Sequence, residues 1–131
     1  MVDTVNLRVP RDARFLSLLR LIIGGIGLRR DLSFDALDDL QLAVDSVLAE
    51  DESTGHDVSM GVAITDDALV VNLSPLQDRD LKDTLQQGRV PAGAESRCLD
   101  VCLLLRSLVD GYAVHELSNG FYEVELRKRV G

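Results

Sequence analysis

Tryptophan is missing from this chain of 131 residues, and aromatic side chains of all kinds make up only 4%. A sequence so poor in flat rings offers few platforms for stacked bases, and its core must be aliphatic. Positive charge is also in deficit, with 14 basic residues against 22 acidic ones and a net charge of -8. That balance repels phosphate backbones and favours basic protein surfaces, so direct nucleic-acid binding is not expected. Cysteine is nearly absent. Cys98 and Cys102, four apart in a helical pattern, read as two reduced core thiols. Zinc normally takes four ligands, and His56 and His115 supply no closing pair, so no metal site is expected and both histidines read as ordinary polar positions. No long hydrophobic run occurs either. The longest, Leu18 to Leu28, is broken by Arg20, Gly24, Gly25 and Gly27 and is too short to span a bilayer. The opening MVDTVNLRVPRD has no basic region followed by an uninterrupted apolar one, which argues against a signal peptide and for a cytoplasmic protein with no membrane partner.

What is present is enough for one domain over residues 1–131. Apolar residues reach 46%, and a chain of this length buries roughly two-thirds of its unfolded surface, so it needs neither metal nor disulfide to fold. Ser33 to Glu50 is the clearest helix. Phe34, Leu37, Leu40, Val44, Val47 and Leu48 recur at helical spacing, Ser33 suits the N-cap, and Asp35, Asp38 and Asp39 sit in the electropositive first turns. Thr4 to Val9 alternates as a half-buried strand and ends at Pro10. Asp12 then caps a helix whose Phe15, Leu18, Leu19, Ile22, Ile23 and Ile26 form an expected core stripe. A second face, Leu16, Arg20, Gly24 and Gly27, is open to two readings: a glycine-frayed helix end, or a contact face for another protein with Arg20 as its charged anchor. The connection to the next helix is expected over 27–32.

Val58 to Ile64 and Leu69 to Leu73 alternate about a turn at Asp66-Asp67, a hairpin stopped by Pro75. A short polar helix around Leu81 and Leu85 precedes the loop GRVPAGAE, whose composition suits a lid, a binding loop or a disordered stretch. Leu99 to Val109 is a strongly apolar helix expected to pack centrally on the sheet, with Gly111 as its stop. Val114 to Leu117 and Phe121 to Arg127 form a last hairpin around Ser118-Asn119-Gly120, leaving Lys128 and Arg129 as a basic tail. The order of elements implies an α/β two-layer sandwich, a mixed sheet with all helices on one face.

This order, with "VNLRVPRDARFLSLLRLIIGGIG", "DLQLAVDSV" and "LLLRSLVDGYAV", resembles the bacterial anti-sigma factor and serine-protein-kinase group of the gyrase and histidine-kinase ATPase superfamily. The resemblance implies a histidine-kinase-like ATPase fold. It also implies a sigma factor or an anti-sigma antagonist as partner, dimerisation, and serine phosphorylation with ATP and magnesium. Relatives carry Glu-x-x-x-Asn on the second helix, with the carboxylate as general base and the amide as metal ligand one turn away. Here Ser46 and Glu50 fall at those positions, or Asp45 and Ala49 if the register slides by one. The adenine-reading Asp and its glycines are replaced by "VVNLSPLQDRD", with Ser74 or Pro75 at the Asp position. The glycine-rich phosphate turn is replaced by "SRCLDVCLLL", with bulky Leu99, Val101 and Leu103, and Gly88 and Gly93 cannot be placed in that role.

Loss of all three motifs removes most of the positioning and charge neutralisation that phosphoryl transfer requires. The expectation is a regulatory binding protein with no catalytic residue, no cofactor and no metal. Partner contact is assigned first to Arg20, where the resemblance places a partner-binding arginine, and then to Leu16, Gly24 and Gly27, which serve either that contact or a homodimer surface. The alternatives are an active serine kinase in which Asp45 and Glu50 hold magnesium, and a non-catalytic dimeric adaptor.

Overall fold

The computed structural model describes residues 3–51, 56–87 and 96–130, with the side chains of 96–100 outside that description. Strand β1 (Asp3–Val9) is followed by helices α1 (Ala13–Arg29) and α2 (Phe34–Glu50). The hairpin β2 (Val58–Ile64) and β3 (Ala68–Leu76) comes next, then α3 (Arg79–Gln87) and α4 (Ser96–Leu108), then β4 (Gly111–Glu116) and β5 (Tyr122–Arg129). Among these residues the five strands form one sheet in the order β1-β2-β3-β5-β4.

The two-layer α/β sandwich is the expected one, but every pairing in its sheet is antiparallel instead of mixed. Two helices between β1 and β2 turn the chain twice, so β2 returns against β1, where a single crossover helix would have made them parallel. β3 and β4 do run in the same sense. The second hairpin folds β5 in between, so they never touch.

Local signals at the helix ends act as the sequence suggests. Asp12 Oδ1 accepts the Arg14 amide at 2.9 Å, and Ser33 Oγ accepts the Ala36 amide at 3.1 Å. Asp31, at φ 58, makes the left-handed step between α1 and α2, a conformation that a short polar side chain tolerates. α1 runs unbroken through its glycines to Arg29, so the frayed end and the connection at 27–32 give way to a tighter turn over 30–33.

Strand register sorts the sheet into two faces. One cross-strand row, Leu7, Met60, Leu73, Val124 and Val114, points into the helical layer, and the adjacent row, Asn6, Gly61, Asn72, Glu125 and Ala113, lies on the opposite face. Leu40, Val44 and Val47 of α2 are completely buried over this core, as are Leu19 of α1 and Leu105 of α4. Truncating any one of the leucines to Ala costs about 2–5 kcal/mol.

Several expectations shift. Phe34 of α2 is 77% exposed; on α1, Phe15 and Leu18 lie on the surface, whereas Leu19 and Ile23 are buried and Ile22 and Ile26 pack against the core as expected, so the buried face is displaced towards Gly27. α1 is apolar almost all round, and periodicity alone cannot orient such a helix. β3 continues past Pro75 through a register shift to pair Leu76 with Tyr122. α4 makes its main contacts with α2 and α3, and Gly111 opens β4 instead of ending α4. Lys128 and Arg129 belong to β5: Lys128 Nζ donates to the Leu108 carbonyl at 2.6 Å and meets Asp39 at 3.3 Å, a cation at the C-terminus of α4. The loop at 88–95 lies outside the described residues.

The glycines of α1 set how closely α2 approaches. A Cβ on Gly27 would stand 2.8 Å from Leu37 Cδ1, whereas one on Gly25 would meet nothing within 4 Å. Gly25→Ala is therefore expected to raise stability by up to about 1 kcal/mol through helix propensity. Gly27→Ala should fall below it by about 1–3 kcal/mol through overpacking. Urea unfolding of the two variants measures the gap, and equal stabilities would contradict this account of the helix contact.

Candidate functional site

Two regions hold the residues singled out in the sequence: the outer face of α1, and the C-terminal end of α2. On α1, Arg20 is half exposed, with Nη1 3.4 Å from Asp45 Oδ2 on α2. Gln41 Nε2 donates to the Arg20 carbonyl at 2.9 Å, and the same atom would lie 3.3 Å from a Cβ on Gly24. Ser17, Arg20, Leu21, Gly24, Leu28 and Gln41 line a groove of about 630 Å³. Leu21 is 70% exposed and Leu28 58%. The result is an apolar ridge with a guanidinium on its flank.

The four expected contact residues therefore separate. Arg20 and Gly24 meet in this groove. Leu16 is half-buried and packs on the core, and Gly27 is buried beneath Leu37, where it serves the α1–α2 contact instead of the surface. Gln41, Leu21 and Leu28 were not picked out in the sequence, and Asp45 was picked out only as a magnesium ligand of the kinase alternative. Leu21 and Leu28 lie outside the expected apolar stripe of α1, and Gln41 and Asp45 stand on the flank of α2 that meets α1.

At the C-terminal end of α2 the polar groups are already engaged. Asp51, directly after the last turn, has a fully buried side chain. Its Oδ2 lies 2.8 Å from Arg11 Nη2, and Arg11 Nη1 donates to its carbonyl, also at 2.8 Å. Its Oδ1 accepts the amides of Gln77 and Asp78 at 3.0 and 2.8 Å. Asp78 in turn receives the Leu81 amide on Oδ1 at 2.9 Å and the Tyr122 hydroxyl on its carbonyl at 2.7 Å. One carboxylate thus joins the β1–α1 turn, α2, and the β3–α3 turn.

The motif positions on α2 are occupied in ways that do not assemble a metal site. Ser46 Oγ donates to the Leu42 carbonyl at 2.7 Å. Asp45 faces Arg20 at the surface, while Glu50 is buried at the helix end. Elsewhere, Cys102 is a buried core thiol 3.4 Å from the Tyr112 hydroxyl, His56 packs edge-on against Phe121, and His115 lies 3.4 Å from Glu125. The side chains of Cys98 and Leu99, and Gly88 and Gly93, fall outside the described residues. Val101 is half-buried and Leu103 is 50% exposed.

Breaking the Arg11–Asp51 pair leaves one buried charge uncompensated. Asp51→Ala is expected to cost about 3–5 kcal/mol in urea unfolding. Combining it with Arg11→Ala should add much less than the single losses imply, since both remove one interaction. Additive losses would contradict the coupling.

Burial pushes the Asp45 carboxyl above its ordinary 3.8, and the Arg20 charge only partly pulls it back. Its charged form is then disfavoured by folding, so it contributes more stability as pH falls towards 3.8 and less at neutral pH. Asp45→Asn should accordingly melt no lower than the parent at neutral pH, with any advantage closing in acid. A variant that melts lower at neutral pH and gains in acid would reverse the assignment.

No family model matches the chain. Over 46 residues it is 50% identical to the anti-sigma-F factor RsbW of Mycobacterium tuberculosis strain CDC 1551 / Oshkosh, and equally to that of strain ATCC 25618 / H37Rv. The match takes in 35% of this chain and 27% of those proteins, so the chain spans about a quarter of the length of the curated relatives it matches. This partial likeness supports an anti-sigma-factor relationship. Among the described residues, no helix is long and apolar enough to cross a membrane.

Proposed function

We propose that this chain is an anti-sigma-factor-like regulator that binds a sigma factor or an anti-sigma antagonist through the outer face of α1, acting by occupancy and without ATP-dependent transfer. The observation that carries the reading is the 50% identity over 46 residues to proteins named anti-sigma-F factor. The geometry of α1 agrees with it. Arg20 stands at the edge of an apolar ridge, tethered at its carbonyl by Gln41 and balanced by Asp45, so its guanidinium is positioned yet accessible. An exposed arginine beside exposed leucines is the kind of anchor that dominates protein interfaces.

In this reading the sandwich is a histidine-kinase-like ATPase fold whose nucleotide-handling groups have been replaced. Ser46 and Glu50 stand where the family's carboxylate and amide belong, and Ser46 is turned back onto its own helix. Asp51 and Arg11 clamp the turn after β3, next to the positions from which the family reads adenine. The kinase alternative needs Asp45 and Glu50 on one metal ion. The Asp45–Arg20 pair and the burial of Glu50 speak against it.

The test is capture of the cell's sigma factors and their antagonists on the immobilised protein, beside an Arg20→Glu variant. The wild type should retain a sigma factor or an antagonist, and the variant should weaken that binding at least about tenfold. Circular dichroism and thermal melting of the variant should stay close to those of the wild type, because Arg20 lies on the surface. Failure of the wild type to retain either class, or equal retention by a folded Arg20→Glu variant, would overturn the proposal.

A further inference from the structure

The helical layer stops short of the sheet's first edge. Among the described residues β1 pairs only with β2, and Val9 is its one buried side chain. Its helix-side Val5 is 37% exposed. Between this strand and α1 lies a second groove of about 490 Å³, with Val5 and Ile64 on the sheet side and Leu21, Ile22 and Ile26 on the helix side. It lies across the Leu21 ridge from Arg20.

Asp3, Arg29 and Arg30 also line this groove. Arg30 Nη2 donates to the backbone carbonyls of Thr65 and Asp66 at 2.7 and 3.3 Å, so its charge is held in place without a carboxylate. Among the described residues Arg29 has no ion-pair partner. In a protein of net charge -8, two guanidiniums against one carboxylate is a local reversal of sign. Of the six arginines in residues 1–30, Arg8, Arg11, Arg14 and Arg20 each meet an aspartate, which leaves Arg29 and Arg30 as the two at this groove without one among the described residues.

We infer that the open edge of β1 and this groove together receive an extended acidic segment of a partner protein, added to the sheet as a further strand. Three observations select that occupant. An edge strand offers unpaired backbone donors and acceptors, which only an extended chain satisfies in register. The groove beside it takes the alternate apolar side chains that such a strand projects to one face. The arginines call for carboxylates on the incoming chain. A second copy of this protein fits less well, because its β1 would bring a single carboxylate, Asp3, and with it the cation Arg8. The inference goes beyond sigma binding at Arg20 and concerns a different face.

The experiment is an NMR titration of the isotope-labelled protein with a synthetic peptide in which valine alternates with glutamate. A counterpart with lysine in place of glutamate is the control. The acidic peptide should shift the β1 amides and those of Ile22 and Ile26, and slow hydrogen exchange along β1. Arg29→Glu, a surface change, should weaken it about tenfold, whereas Arg20→Glu should leave it unchanged. The inference is overturned if the acidic peptide leaves the β1 amides unmoved at millimolar concentration, or if the lysine peptide binds equally. It is also overturned if the β1 amides shift with protein concentration alone, which would put a second copy at that edge.

Discussion

A buried carboxylate at the end of α2 ties together parts of the chain that are far apart in sequence. Asp51 is held by Arg11 on one side and by the amides of Gln77 and Asp78 on the other. Removing a charge from water is costly, and such a group persists inside a protein only when its lone pairs are met by well-placed donors. Here the donors come from the turn after β1 and the turn after β3, so the ion pair forms only when the helical layer and the sheet are in register. Tyr122, wholly buried in β5, extends the contact by donating its hydroxyl to the Asp78 carbonyl.

With α2 fixed at that end, α1 is placed by its glycines. Gly24 and Gly27 let α2 come close where a side chain would intervene, and the opposite side of α1 is left with leucines that no other described element covers. The C-terminal end of α2 and the outer face of α1 therefore differ in character. The first is locked by buried polar contacts, and the second carries an accessible arginine, balanced by Asp45 of α2, and an apolar ridge. Function by contact fits the second, and the first offers a clamped turn where nucleotide chemistry would need open, unpaired groups.

Much of the fold was legible because its signals are local. The caps at Asp12 and Ser33 are read directly from polar residues before apolar periods, and both hairpins follow from alternation about short turns. The phase of α1 was legible only in part. Leu19 and Ile23 were placed in the core and lie there, but Phe15 and Leu18 are equally good core residues by type, and only packing against α2 leaves them outside while Gly27 goes in. The same limit divided the candidate site: Arg20 and Gly24 were recognised as surface residues, but Gly27 belongs to the helix contact. Pro75 misled because a proline near a strand's end need not stop it where a bulge absorbs the missing donor. Asp51 was overlooked because a carboxylate after a helix reads as turn composition until its distant partners, Arg11 and the 77–78 amides, are in view.

We propose that this architecture is used for binding proteins and not for turning over nucleotide. Calorimetric titration of the folded protein with ATP and magnesium tests it most directly. The account predicts no saturable heat up to millimolar nucleotide. A saturable isotherm with a dissociation constant in the micromolar range, dependent on magnesium, would contradict it.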